Sequence, residues 1–119
     1  MSRRKDVLRE IAAAINANGA YHITEWFTDG FRLHEPGGTP RPVGHLGASQ
    51  MMDEFRTLAP PVNLAILDMI EEGDRIAVRW HLTAIYDGEP LSMVSIAIYR
   101  FEGSRIAEDW GIPLRGEWP

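Results

Sequence analysis

The chain has 119 residues, of which 45% are hydrophobic and 24% charged, with a net charge of −5 and no cysteine. Its length suits one domain spanning 1–119, and its acidity argues against a nucleic-acid surface, which needs clustered Lys and Arg. The lack of cysteine excludes disulfides, thiolate metal sites and a cysteine nucleophile.

No apolar run approaches the ~18 residues of a membrane span, and the opening MSRRKDVLRE has no apolar core of a secretion signal. A cytoplasmic protein without a membrane partner is therefore expected. Lys5 to Asn18 is predicted helical, because Val7, Leu8, Ile11, Ala12 and Ile15 recur at three- and four-residue steps and Asn18-Gly19 supplies a left-handed stop. Tyr21 to Phe27 is predicted as a second, shorter helix closed by Asp29-Gly30. Phe31 to Glu35 alternates as a short strand that Pro36 ends, and Gly37–Gly44 is a loop by its glycines and prolines. That loop lacks the Gly-Lys-Ser/Thr ending of a phosphate cradle and reads as the rim of a pocket.

A third helix is predicted from Leu46 to Leu58, stopping before Pro60-Pro61, followed by a strand from Val62 to Glu71. The next strands are Arg75–Tyr86, Leu91–Glu102 and a last one reaching Trp110, joined by turns at Asp87-Gly88 and Glu102-Gly103-Ser104. Helices first and strands afterwards indicate an α+β fold. The expected architecture is a cone-shaped roll, a curved and mostly antiparallel sheet covered by three N-terminal helices.

Along the two long strands Val78, Trp80, Leu82 and Ala84 alternate with Arg79, His81 and Thr83, and Met93, Ser95, Ala97 and Tyr99 alternate with Val94, Ile96, Ile98 and Arg100. The first member of each pair of sets faces the core. Val94, Ile96 and Ile98 on the other face are costly in water, so a homodimer through the outer sheet face is expected, with His81 at that interface. No two histidines have a metal-binding spacing, and no metal site is predicted.

GDRIAVRW and IAIYRFEGSRIAEDW resemble the SnoaL-like polyketide cyclase and ketosteroid isomerase group of the nuclear transport factor 2-like (cystatin-like) superfamily. The shared features are the Gly-Asp turn, the aromatic-Arg-Phe strand end and the Ile106-x-Glu108-x-Trp110 run. HEPGGTPRPVG is similar to the group's segment in which an acidic residue precedes a proline at the pocket. The resemblance implies a single SnoaL-like domain with an internal pocket for a small hydrophobic molecule. It also implies proton-transfer chemistry without a cofactor, of isomerase, cyclase or dehydratase type, on a cyclic or polyketide-like substrate. Residue by residue, it makes Glu35 the general base. The isomerase's oxyanion-hole acid falls on Ala97, its tyrosine falls within Arg9–Ile15, which has none, and the cyclase's aspartate falls on Leu114. Asp109, three residues after Ile106, is the remaining acid expected to point inward.

The candidate catalytic residues are thus Glu35 and Asp109, with Tyr99 as a hydroxyl donor and His34 as a neighbour able to orient Glu35 or relay a proton. Candidate substrate walls are Trp26, Phe27, Trp80, Leu82, Met93, Ser95 and Ala97. Adjacent strand residues point to opposite faces, so His34 and Glu35 cannot both enter the pocket of a regular strand. The competing expectation is a binding protein of the same fold that performs no chemistry, motivated by the residues found at positions 97 and 114.

Overall fold

The computed structural model describes residues 2–119. Helix α1 runs Arg3–Ala17, starting where the Ser2 side chain accepts a hydrogen bond from the Lys5 amide at 3.1 Å. It ends on Asn18, which takes the left-handed conformation at φ 49°. Val7, Leu8, Ile11, Ala12 and Ile15 form its buried stripe, as their spacing requires. A single helical turn, α2 (Ile23–Trp26), leads directly into strand β1 (Phe27–His34). Phe27 therefore belongs to the sheet and not to the predicted helix. It pairs with Ile106 and meets Phe31 edge-on at 4.8 Å, so core packing outweighs local propensity.

Helix α3 (His45–Asp53) tightens into a 3-10 turn over Glu54–Thr57, where a single helix was predicted. The remaining strands are β2 (Ala59–Glu72), β3 (Arg75–Tyr86), β4 (Glu89–Glu102), β5 (Arg105–Gly111) and the short β6 (Leu114–Arg115). The sheet order is β1-β5-β4-β3-β2, with β6 beside β4. β2 starts ahead of the predicted Val62 and includes Pro60 and Pro61; it is an edge strand, where missing amide donors are tolerated. Asp87 and Gly88 both have positive φ, the two-residue turn that suits the twist of the β3–β4 hairpin. Among the described residues, β1–β5 is the one parallel pairing.

The helices lie on one face of this sheet, and the core between them is built from α1's stripe with Trp26, Phe27, Phe31, Val78 and Phe101. The other face is more open. Ile70, Ile96 and Ile98 are 73%, 57% and 41% exposed there. Between them run the ion pairs Arg79–Asp68 (2.8 Å) and Arg100–Glu108 (2.6 Å). The segment after β6 lies against the same face. Ser92 Oγ donates to the Gly116 carbonyl at 2.9 Å, Trp118 Nε1 donates to the Trp80 carbonyl at 3.0 Å, and Arg79 lies over the Trp118 ring. Ser92 has one hydrogen to give, so His81 Nε2, 2.9 Å from that hydroxyl, is the donor in their contact. His81 thus contacts its own chain.

Candidate active site

Between the helices and the inner sheet face lies a cavity of about 430 Å³. Its walls are mostly apolar: Leu8, Ile11 and Ile15 from α1, Met51 and Met52 from α3, Phe27, Leu82 and Met93 from the strands. A volume of this size and lining is typical of small-molecule sites. The polar groups reaching it are few. Tyr99, Asp109 and Ser95 come from the sheet, while Glu35, Arg41, Glu54 and Arg115 also line it.

Asp109 is the group whose surroundings are most unusual. It is 8% exposed, and β4 and β5 set it directly opposite Tyr99. Burial first, and then repulsion from the Glu35 carboxylate, push its carboxyl up to about 7, with no hydrogen bond opposing them. A carboxyl tuned to that range accepts and returns a proton at neutral pH. Tyr99 is shifted well upward, by burial first and then by the Asp109 charge; a hydrogen bond from Trp80 works the other way. Trp80 Nε1 donates to the Tyr99 hydroxyl at 3.0 Å. With that oxygen engaged as acceptor, the tyrosine proton remains free to be donated to an oxygen in the cavity.

Glu35 is differently placed. It follows the last residue of β1, and its Oε1 accepts from Arg41 Nε at 2.9 Å. Arg41 also donates through its second amino group to Glu54. Six residues separate Glu35 from Arg41, and the intervening loop turns back through a hydrogen bond from the Gly38 amide to the Glu35 carbonyl at 3.1 Å. Glu35, Asp109, Tyr99, Phe27, Trp80, Leu82, Met93, Ser95 and Ala97 all line the cavity.

Two candidates do not. His34 points to the outer face, where its Nε2 lies 2.8 Å from Glu108 and its ring stacks on Trp110 at 4.9 Å and 8°. Strand alternation separates it from Glu35 and removes it from any proton relay with the cavity. Trp26, proposed as a wall, is 1% exposed in the core and makes an edge contact with His22; its indole nitrogen has no hydrogen-bond partner. Its position at the end of α2 aims it behind the cavity lining. Sequence reasoning missed Arg41, Glu54, Arg115 and Gly111. Arg41 sits between two prolines in a loop with no periodicity, and only the tertiary fold brings it to Glu35 and Glu54. Gly111 carries a weak signal in hindsight: a Cβ there would stand 2.9 Å from that of Ala97, so the β4–β5 approach admits no side chain.

The SnoaL-like domain family matches residues 8–109. The chain belongs to that family. No curated protein matches its sequence. Among solved structures, IdmH, a candidate polyketide cyclase from Streptomyces antibioticus, is 20% identical with a TM-score of 0.75, over 94% of this chain and 92% of that one. A candidate polyketide cyclase from Acidithiobacillus ferrooxidans is 20% identical with a TM-score of 0.78, over 94% and 88%. AclR, a candidate hydroxylase from Streptomyces galilaeus, is 20% identical with a TM-score of 0.77, over 96% and 90%. At such identities the likeness is one of fold, the expected α+β roll of the nuclear transport factor 2-like superfamily. Membership of the SnoaL-like family supports a cyclase- or isomerase-type role; the fold itself hosts several reactions.

Proposed function

We propose that this SnoaL-like protein is an enzyme that moves protons, without a cofactor, on a small and largely apolar cyclic or polyketide-like molecule. Isomerisation, cyclisation and dehydration all fit that description. Asp109 is the acid/base that exchanges a proton with the substrate, Tyr99 donates a hydrogen bond to a substrate oxygen, and Glu35 acts from the cavity wall. The observation supporting this reading is Asp109 itself, a buried carboxyl with no hydrogen-bonding partner among the described residues, in a mostly apolar cavity. Such a group is costly to keep and is characteristic of sites where a pKa has been tuned for chemistry. The ion pair with Arg41 engages one oxygen of Glu35, so Asp109 and not Glu35 is given the acid/base role.

Proton exchange at carbon tests this directly. With 2-decalone in heavy water, deuterium should enter beside the carbonyl at least about 100-fold faster than in buffer, and Asp109→Asn should abolish the gain. Exchange at the buffer rate while the ketone is bound favours the second reading, a non-catalytic binding protein. That reading draws on Ala97 and on Leu114, which is exposed and offers no carboxylate.

The proposal includes a cytoplasmic location and a homodimer packed through the outer sheet face, where Ile70, Ile96 and Ile98 are exposed. No helix among the described residues is long and apolar enough to cross a membrane. Native mass spectrometry reads the dimer; a monomer at micromolar concentration refutes it.

A further inference from the structure

Glu35 stands at the edge of the cavity, its side chain 40% exposed and paired with Arg41. Alongside the inner cavity, on the outer side, lies a cleft of about 690 Å³ bordered by His34, Trp110, Ile96 and Ile98. Leu33, Glu35, Arg41 and Gly111 line both spaces, so the Glu35–Arg41 pair is part of the wall between them. Water draws a free carboxylate outward, and repulsion from an ionised Asp109 pushes it the same way. The Arg41 ion pair engages the carboxylate on the side that borders the cavity.

The loop supplies that hold. Its far end is fixed twice: the Gly44 amide donates to the Phe31 carbonyl at 2.7 Å, and Gly47 lies so close to Pro42 that a Cβ would stand 1.9 Å from the Pro42 carbonyl oxygen. Pro40 and Pro42 stiffen the stretch between. Arg41 is thereby presented at the wall, its side chain largely buried, with one arm on Glu35 and the other on Glu54.

We infer that Arg41 is a positioning residue, which clamps the Glu35 carboxylate onto the cavity wall where its charge reaches Asp109. The inference rests on the proposed role of Asp109 and adds the device that sets its proton affinity. The charged or titratable groups lining the cavity with Asp109 come from several elements. Tyr99 comes from β4, Glu35 from the segment after β1, Arg41 from the loop, Glu54 from the 3-10 turn and Arg115 from β6; α1, α3, β2 and the inner face of β3 contribute no charged group except the β3 end at Tyr86, a further phenol. Of these, Glu35 is the one whose charge raises Asp109.

The test is a carbon-13 NMR titration of the Asp109 carboxyl, assigned by its disappearance in Asp109→Asn and read in the full chain. Glu35→Gln should lower its midpoint by roughly half a pH unit or more, since a repelling charge is gone. Arg41→Gln should lower it similarly, because the released Glu35 turns to solvent. Adding Glu35→Gln to Arg41→Gln should then change nothing, and Arg41→Lys should retain the unaltered midpoint. Glu54→Gln, which removes the second arm while leaving Arg41 charged, should produce a smaller fall. An Arg41→Gln midpoint equal to or above that of the unaltered protein overturns the inference, as does a Glu35→Gln midpoint that stays in place. If Asp109 instead titrates like a surface carboxylate before any substitution, the proposed function fails with it.

Discussion

Glu108 and Asp109 are neighbours on β5, one chemical type apart by a single methylene, and the two faces of the sheet drive them in opposite directions. On the outer face Glu108 accepts from Arg100 at 2.6 Å and meets His34 at 2.8 Å; both hold its carboxyl below the ordinary glutamate value. On the inner face Asp109 has no such partner, and burial with the Glu35 charge raises it to about 7. The strand's two-residue period puts one acid in a bath of compensating charge and the next in an oily cavity. A carboxylate's identity is less informative than the face it occupies. The outer pair stabilises the ionised form; the inner site withholds that support and so keeps a proton available.

The largest effect is expected from removing the inner acid. Asp109→Asn should abolish the proposed proton exchange and also stabilise the fold at alkaline pH. The sign follows from the raised value. Between the ordinary 3.8 and about 7, the folded state binds more protons than the unfolded one, so stability falls as pH rises through that window. An ionised Asp109 costs the folded state at most about 4 kcal/mol. Chemical denaturation at pH 8.5 should show the Asn variant more stable by up to that amount, and no difference near pH 4.

Tyr99→Phe should cost about 10²-fold in the same exchange assay, the usual loss for a single donor to a developing oxyanion. Trp80→Phe should cost less, because the hydroxyl survives without its indole donor. On the outer face, Ile96→Glu should convert the proposed dimer to monomer by native mass spectrometry and leave exchange at Asp109's site intact. The smallest effect belongs to the outer acid. Glu108→Gln should destabilise by about 0.5–1 kcal/mol, since the pair is partly solvated. Its depressed carboxyl contributes stability that is present above its ordinary 4.5 and lost as pH falls below it, the reverse of Asp109. Equal pH profiles for the two variants would erase the comparison.

Much of the fold was legible because hairpin chemistry is local. Asp87-Gly88 takes the positive φ values that its sequence favours, and β3 has the predicted limits Arg75–Tyr86. The stripe on α1 matches its spacing. Less was legible where pairing is distant. The parallel β1–β5 ladder draws Phe27 out of a predicted helix, and β6 forms only because β5 leaves β4 after Gly111. The inward acids were placed by resemblance and by alternation, and alternation alone already set His34 against Glu35. Trp26 shows the limit of composition, since an aromatic near a pocket can serve the core behind it. Arg41 was invisible for a different reason: an ion pair formed by a proline-flanked loop leaves no pattern in the chain.

Proton transfer at this site requires Asp109 to be a neutral-range acid, and carboxyl carbon-13 NMR titration of the unaltered protein measures that without a substrate. The midpoint is expected near 7 and should disappear in Asp109→Asn. A midpoint near 3.8, the ordinary aspartate value, would contradict it.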